Sequence, residues 1–565
     1  MDDLDITNNQ NFSNFTKPKT TNMIIYYSPA FTSNAYFDMK ANSGIAFDTM
    51  ICGNADLLRV LMLHLGIHHE TLSSVERAAI YRNVFKNQIN SHPGCIFEKS
   101  FEVGDLSVSS KCLEWRDKLV HAGWKWDYAK DQQSKRLQFI AEVEKEFSKK
   151  KEAIGEADMW MEVKKATETT CGLPEGSQVI LPNVSKELLP PYIISILDNL
   201  ANKGIKITEQ KITSALATGN LGKVQKYLLG GKPEELDPKD NSLEILNFPD
   251  EISALQYVAS IKPDAYDVYI NSDNKTFDDM QLSLKYPTSG SQLNNANPQI
   301  VQSFKIALSL FDYPMNITNI LSWLLIPYNP IENNLRMGLA RVISSTGGIY
   351  NEDWNNFINK YKSEPVHNPF EEKDLTDEEK INNIKQLDMY LPRQNSTDVD
   401  KEIIKKYVIN LQSYFEQKIH ANDKEKMFPD IVIEQFGRLS SMFKAFLKLL
   451  LDYESETIKY SIVEIWVNSI YEATNYSYTS NLKSSRHIIN SPGDIVASPS
   501  NIIWLDLYNY NEATSFYDFL NPTEVNQLSY MNFWEGDKEA SYYNSLFIHP
   551  VLLCGKKISL VVVDR

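Results

Sequence analysis

Hydrophobic positions along the chain alternate between strand-like and helix-like spacing, which predicts an α/β protein. The run MIIYYSPAF at 23–31 is rich in strand-forming residues and ends in a Ser-Pro turn, so it predicts a first strand near 24–28. From Ala55 to Gly66 the leucines recur at helical spacing, and helical patterns continue to about residue 170. We therefore predict a first α/β core at 23–240 with a helical insertion at about 55–170.

A second α/β core is predicted further along the chain. Residues 177–208 read as strand, turn, helix and strand, a pattern typical of a parallel sheet, and a similar pattern begins in 241–297. Long helical patterns fill 298–480. Strand patterns then return in NIIWLDLYN and KISLVVVDR. The latter shows no polar alternation, which is typical of a strand buried on both faces. The second core is thus expected to start at 241–297 and to resume at 481–565, whereas the acidic, polar residues 1–22 predict a disordered tail.

Composition narrows the class of protein. The chain has 565 residues, with 57 Lys+Arg against 73 Asp+Glu, so its formal net charge is 57 − 73 = −16. Its 42% hydrophobic residues exclude disorder of the whole chain, and five scattered cysteines exclude a disulfide-stapled scaffold. With neither an export signal nor an apolar run long enough to span a bilayer, we expect a cytoplasmic protein without a membrane partner. The acidity disfavours binding nucleic acid through bulk positive charge, but it leaves room for a local basic groove.

Motifs for nucleotide hydrolysis and nuclease chemistry are absent. The phosphate-binding string GxxxxGK[ST] does not occur, and the first predicted strand is followed by SPAFTSNAYFDM, which has neither the glycines nor the lysine. A superficial match to a PD-(D/E)xK nuclease site, Asp158, Glu162 and Lys164 in EADMWMEVKK, has too short a spacing for two strands and lies in a helical pattern. We predict no catalytic residue.

Metal and cofactor sites find no support either. His64, His68 and His69 cluster in LHLGIHHE, but Gly66 interrupts the helix that would bring them to one face, so a polar helix end is the favoured interpretation. No CxxC pair is present to build a zinc or iron-sulfur site. We predict no bound metal and no cofactor.

Two basic segments are candidate nucleic-acid contacts. Residues 115–136 interleave three tryptophans with basic residues, and NNLRMGLARVISS at 333–345 carries two arginines. Aromatic rings can stack on bases while basic groups pair with phosphates, although tryptophans on a helix more often pack in a core. The candidate residues are Lys125, Lys135, Arg136, Arg336 and Arg341.

Several segments, read in order, resemble a known family. They include GNADLLRVLMLHLGI, QVILPNVSKELLPPYIISILDNLANKGIKI, and YPTSGSQLNNANPQIVQSFKIALSLFDYPMNITNILSWLLIPYNPIENNLRMGLARVISSTGGI. These are similar to the helicase-like half of AddB-type proteins, in the PD-(D/E)xK nuclease family related to bacterial helicase-nucleases that resect double-strand breaks. The similarity covers most of 23–565 and rests on apolar and turn residues. It implies helicase-like (RecA-like) parallel-sheet cores interrupted by all-helical insertions.

The chain also departs from this family. The Walker lysine is missing, and the nuclease domain, which in the family follows the helicase-like part, is not expected within these 565 residues. The resemblance therefore implies a catalytically silent, helicase-like scaffold that positions DNA for a nuclease located elsewhere. Its implied partners are DNA and a helicase or nuclease subunit. A protein-interaction module that binds no nucleic acid, and an enzyme of unrecognised type, remain open alternatives.

Overall fold

The computed structural model describes most of the chain. Described are residues 22–32, 34–37, 48–69, 72, 74–124, 134–210, 216–272, 275–287, 299–368, 373–393, 395–451, 453, 455–473, 486–507 and 515–564. The predicted tail, apart from residue 22, lies outside these residues.

Among the described residues, the first sheet has four parallel strands in the order β2-β1-β3-β4. Its strands, and the helix that joins the last two, are β1 Ile24–Tyr27, β2 Thr49–Cys52, β3 Gln178–Leu181, α7 Pro191–Asn202 and β4 Lys206–Glu209. Ile24 is in register with Thr49 on one side and Gln178 on the other. The strand predicted near 24–28 is confirmed. β2, which sequence reasoning missed, is only four residues long and carries no alternation that would set it apart.

Among the described residues, six α-helices stand between β2 and β3. They are α1 Asn54–Leu65, α2 Ser74–Ser91, α3 Glu98–Val103, α4 Asp105–His121, α5 Lys135–Phe147 and α6 Glu156–Thr169. Gly53 caps the start of α1, and the left-handed conformation of Gly66 ends it. α1 and α6 pack against the first sheet, where the fully buried Trp160 of α6 lies in the same core as Ile25 and Tyr27.

The second sheet, in the part of the chain that the structure describes, has five parallel strands in the order β11-β6-β12-β13-β5. Its elements are α8 Gly219–Leu228, β5 Leu243–Phe248, α9 Glu251–Ser260, β6 Val268–Ile270, α10 Lys275–Ser283, β11 Ile488–Ile489, β12 Asn501–Trp504, α19 Pro522–Gln527, α20 Gly536–Leu553 and β13 Lys557–Val563. Both faces of this sheet are covered by apolar cores, which is why β13 carries apolar side chains on both of its faces.

A second set of helices stands between β6 and β11, after α10. It comprises α11 Gln299–Ser309, α12 Ile317–Leu325, α13 Asn333–Thr346, α14 Glu352–Ser363, β7 His367–Asn368, β8 Lys373–Asp374, α15 Asp377–Tyr390, β9 Asp398–Asp400, α16 Lys401–Glu425, α17 Asp430–Leu451, β10 Thr457–Lys459 and α18 Tyr460–Ala473. The short strands β7–β8 and β9–β10 form two antiparallel pairs.

The two sets of helices share one hydrophobic core. Phe85 and Phe139 of the first set belong to the same buried cluster as Trp323, Phe436 and Trp466 of the second. α17 and α18 both pack against α2. The helices that interrupt the two sheets are therefore joined to each other.

After β12 the chain leaves the second sheet and runs to helices α1–α6. We call residues 515–535, which make this connection, the crossing segment. Leu520 and Leu528 lie in the shared helical core, and Trp534 lies in the core of the first sheet. The backbone N–H of Asn532 donates to the carbonyl of Ala122 at 3.0 Å, and the indole of Trp534 donates to the carbonyl of Leu188 at 3.0 Å. The crossing segment thus connects the second sheet with the shared helical core and with the core of the first sheet.

The predicted α/β class and the parallel sheets are confirmed by this architecture. Within the described part of the chain, no helix has the length and apolarity needed to cross a membrane.

Candidate ligand site at the carboxyl edge of the first sheet

A cavity of about 360 Å³ lies where the first sheet meets the second half of the chain. Its lining is mostly aromatic rings and prolines. The rings belong to Tyr192, Phe516, Tyr517, Trp534, Tyr542 and Tyr543; the remaining lining residues are Pro29, Ala30, Asn54, Pro190, Pro191, Ser491, Pro492 and Leu546. This size falls at the lower end of the roughly 300–1,000 Å³ typical of small-molecule pockets.

The topology of the first sheet accounts for this position. From β1 the chain moves to one side of the sheet, to β2, whereas β3 is followed by β4 on the other side. Loops that leave neighbouring parallel strands in opposite directions open a crevice at the carboxyl edge, and α/β proteins bind ligands there. Pro29 and Ala30 follow β1, Asn54 follows β2, and Pro190 follows β3, so all three loops line the cavity.

Ring contacts hold the aromatic walls in place. Tyr542 lies 5.3 Å from Trp534 and 5.3 Å from Tyr543, measured between ring centroids. At the start of α7, Tyr192 stacks on His121 with ring centroids 4.4 Å apart. Because Trp534 and Tyr542 are almost completely buried, the shape of this wall is set by packing before any ligand arrives.

Asn54 brings a polar group to the cavity. It is the first residue of α1, and its side-chain carbonyl accepts a hydrogen bond of 2.8 Å from the hydroxyl of Tyr27. That bond orients the carboxamide and leaves its NH2 group, which has no hydrogen-bond acceptor among the described residues, as a donor. Ser491, whose Oγ accepts from the N–H of Gly493 at 3.2 Å, retains its hydroxyl hydrogen as a second donor.

A buried junction joins the loop after β1 to the second sheet beside this cavity. Asp494, which is fully buried, accepts from the backbone N–H of Thr32 at 2.8 Å and from its hydroxyl at 2.9 Å. The backbone of Tyr36 pairs with that of Asp494 and Val496, at 2.7 and 2.9 Å. We call this contact the Thr32–Asp494 junction.

Burial dominates the electrostatics of the junction. It raises the pKa of Asp494 to about 6, although hydrogen bonds from Thr32 and Ser491 act in the opposite direction. Burial also lowers the pKa of His549 to about 4 and depresses the pKa of His487. Both histidines bond to neighbouring carbonyls, those of Ile495 and Asn34, and both are neutral at pH 7. Neither supplies a positive charge to the junction.

The chemistry of this lining favours an uncharged ligand. No charged side chain is among the described residues that line the cavity. A triphosphate needs a lysine, a metal or a glycine-rich set of backbone amides to offset its charge, and the loop after β1 offers SPAFTSN instead. The site therefore suits a flat, neutral ring better than a nucleotide phosphate.

Two of the predicted DNA-contacting arginines are engaged within the protein. The guanidinium of Arg336 donates to the carbonyls of Leu324 and Ile326, at 2.6 and 3.2 Å, and so caps the end of α12. Arg136 pairs with Glu524 and lies 4.9 Å from the ring centroid of Trp115. Both arginines hold helices together in this structure.

Two of the other three candidates are exposed. Lys135, at the start of α5, and Arg341, on α13, are exposed, and neither forms an ion pair with a described residue. Lys125 lies outside the described residues. None of the four candidates that the structure describes lines the cavity.

The residues set aside as nuclease or metal ligands have structural roles or none. Asp158 lies on α6, where it caps the N–H of Gly155 at 3.0 Å and accepts from Arg116 at 2.8 Å. His64 is exposed on α1, and His69 bonds to Glu162 at 2.6 Å. Among the described residues, no group of three or more potential metal ligands comes together.

Sequence reasoning missed the cavity because its walls come from five separated segments. One local sign was present: aromatic residues are dense in SFYDF, NFWEGD and SYYNS between 515 and 545. Such density predicts a packing surface, but it does not show which strand edge the rings cover.

No protein-family model matches the chain, and no curated protein matches it either.

Proposed function

We propose that the chain is a catalytically silent, RecA-like helicase scaffold of a DNA-processing helicase-nuclease of the double-strand-break repair type. In this role it positions DNA or a partner subunit for a nuclease located elsewhere. The proposal carries forward the resemblance to AddB-type proteins, and it is supported by how the two sheets and their helices are arranged.

One observation carries the proposal. The carboxyl edge of the first sheet, where a motor would hold its nucleotide, opens into an uncharged, aromatic cavity, and the loop after β1 is bonded to the second sheet through Asp494. Two parallel sheets that meet across such an edge, each interrupted by helices, suit a helicase-like frame. A cavity whose described lining carries no cation suits a frame that has no nucleotide hydrolysis.

DNA binding is tested by its salt dependence. Each neutralised phosphate steepens the slope of log K against log[salt] by about 0.9 for duplex DNA and about 0.7 for single strands. We expect the purified chain to bind DNA at low salt with such a slope. If Lys135 and Arg341 contact phosphates, Lys135→Ala and Arg341→Ala each reduce it by about one contact. Lys385→Ala, which removes an exposed lysine of α15, is the matched control and leaves the slope unchanged.

Two results would contradict the scaffold. Absence of DNA binding at low salt would remove the DNA role. Stimulation by ATP of any activity of the purified chain would show that it is a motor, and the assignment as catalytically silent would be wrong.

A protein-interaction module that binds no nucleic acid is the second candidate. It is favoured by the formal net charge of −16 and by the engagement of Arg136 and Arg336 in internal contacts. Under this alternative, DNA binding is absent at low salt, and a stable complex with a partner protein forms in the absence of DNA.

A further inference from the structure

We propose that the aromatic cavity at the carboxyl edge of the first sheet binds an unpaired nucleobase, held by stacking and by edge hydrogen bonds rather than through phosphate. The base arrives either as a free nucleoside or as part of a single strand. The second source rests on the proposed DNA function, whereas the first does not.

The aromatic walls are the first support. Rings of Trp534, Tyr542 and Tyr543 form one connected group, and Tyr192 and Tyr517 line the same cavity. Every base has a flat π face, and stacking of a base on an aromatic side chain contributes enough to change affinity by about tenfold or more. A cavity with so many rings offers such a face to any flat heterocycle.

The polar groups narrow the choice to rings that carry acceptors on their edge. The Asn54 carboxamide, oriented by Tyr27, offers its NH2 group, and Ser491 offers its hydroxyl hydrogen. An aliphatic or phenyl group in the cavity would leave these donors without partners, and that costs affinity. The ring nitrogens and carbonyl oxygens of a nucleobase supply the acceptors.

Size and charge exclude the larger, charged forms of the same ligand. About 360 Å³ accommodates a base with its sugar, and the described lining carries no lysine or arginine for phosphates. Adenosine is therefore expected to bind more tightly than ATP. A nucleotide within a strand would keep its phosphates outside the cavity.

The experiment measures binding of adenosine, guanosine, cytidine, thymidine and short single-stranded oligonucleotides to the full chain by calorimetry. Quenching of tryptophan fluorescence serves as a second signal, because Trp534 forms part of the wall. Asn54→Asp keeps the acceptor for Tyr27 and suits a helix N-terminus, but it removes both N–H donors. Tyr543→Leu removes one half-buried ring while leaving an apolar side chain.

Matched controls make the same chemical changes elsewhere. Asn355→Asp alters an exposed asparagine on α14, and Tyr530→Leu alters a tyrosine that is 52% exposed and does not line the cavity. Thermal melting of all four variants checks that each of them is folded. We expect affinity to fall about tenfold or more in Asn54→Asp and Tyr543→Leu, and to stay within about twofold in the controls.

Each outcome decides the proposal. Nucleoside binding that the two cavity variants weaken supports it, with a free nucleoside as the source. Binding of oligonucleotides alone, weakened by the same variants, supports it with a strand as the source. Absence of binding by both classes, or binding that the cavity variants leave unchanged, overturns it.

The same measurements test the proposed scaffold function independently of the cavity assignment. Nucleoside binding without DNA binding keeps the cavity assignment and removes the DNA role. If the chain binds no nucleoside, and its salt-dependent DNA binding is unaffected by Asn54→Asp and Tyr543→Leu, the DNA role stands and the cavity assignment is removed.

Discussion

Arg116 of α4 is the centre of a buried network of charges that joins helices α2, α4, α5 and α6. Its guanidinium donates to Glu144 of α5 at 2.7 and 2.9 Å and to Asp158 of α6 at 2.8 Å. Arg77 of α2 reaches the same Asp158 and also Asp117 of α4. Burial raises the pKa of Glu144, whereas Arg116 overcomes burial at Asp158 and lowers its pKa. The carboxylates depend on the arginines for their charge.

Replacing Arg116 should therefore be costly. Arg116 also lies 3.0 Å from Asp117, so in Arg116→Ala three carboxylates lose a buried partner. The free energy of unfolding is expected to fall by about 3–5 kcal/mol. Urea denaturation measures the change. Arg59→Ala is the control, because Arg59 forms an exposed pair with Asp56 and should cost less than about 1 kcal/mol. Equal effects of the two substitutions would show that the buried network is not a source of stability.

Asp494 makes the stability of the Thr32–Asp494 junction depend on pH. Its pKa of about 6 lies above the ordinary 3.8, so the folded state binds the proton more tightly than the unfolded state does. This contribution to stability is complete below about pH 4, declines as pH rises, and is lost above about pH 6. The difference in pKa corresponds to about 3 kcal/mol.

Asp494→Asn is expected to remove this dependence. The asparagine imitates the protonated carboxyl, so variant and wild type should be equally stable near pH 4, and the variant more stable by up to about 3 kcal/mol at pH 7. Denaturation at several pH values measures the difference. Asp250→Asn, at an exposed helix cap where hydrogen bonds from Ser253 lower the pKa, should give no gain at pH 7. A flat difference between Asp494→Asn and wild type across pH 4–7 would contradict the assignment.

Among the elements, the crossing segment depends on α19. Glu524 of α19 is almost fully buried and accepts from the hydroxyl of Ser134 at 2.6 Å as well as from Arg136. It also completes a capping box with Asn521, where the two hydrogen bonds are 2.9 and 3.1 Å long. The Glu524 carboxylate thus stabilises the first turn of α19 and attaches α19 to α5.

Glu524→Ala should loosen the crossing segment. Arg136 is left partly buried without its carboxylate, and the expected loss is about 2–4 kcal/mol, less than for a fully buried pair. Limited proteolysis should cut within 515–535 sooner in the variant than in wild type. Glu535→Ala, in the same segment but exposed, should leave both stability and cleavage near wild type. Unchanged cleavage in Glu524→Ala would show that other contacts hold the segment.

At the scale of the whole molecule, the shared helical core couples parts of the chain that are distant in sequence. Arg82 of α2 lies 6.0 Å from the ring centroid of Trp466 of α18, and Trp466 is fully buried. Since both sets of helices bury their apolar faces in this one core, they should unfold together rather than as independent domains.

Trp466→Ala tests this coupling. Loss of a buried tryptophan should cost about 3–5 kcal/mol, and hydrogen exchange should accelerate in α2 as well as in α18. Met389→Ala, at a 40% exposed position of α15, is the control and should leave exchange in α2 unchanged. If exchange accelerates in α18 alone, the two sets of helices are separate folding units.

Much of the fold could be predicted at the level of single elements. Ile558 and Val561 lie in a segment without polar alternation, and that segment is a buried parallel strand. Leu57, Leu58 and Leu61 recur at helical spacing, and they face the core of the first sheet. β2 escaped prediction because four residues carry too little pattern. The aromatic cavity escaped prediction because no single segment contains it.

The sequence by itself determined the class of protein, the position of its helical stretches and the lack of a phosphate-binding loop, because each of these depends on near neighbours along the chain. Only the tertiary structure decided which surfaces meet. Ser134 and Glu524 are 390 residues apart, and Thr32 and Asp494 are 462 apart, yet both pairs are hydrogen-bonded. Such pairs depend on how amphipathic faces pack in three dimensions, and local periodicity does not identify which distant residue will be the partner.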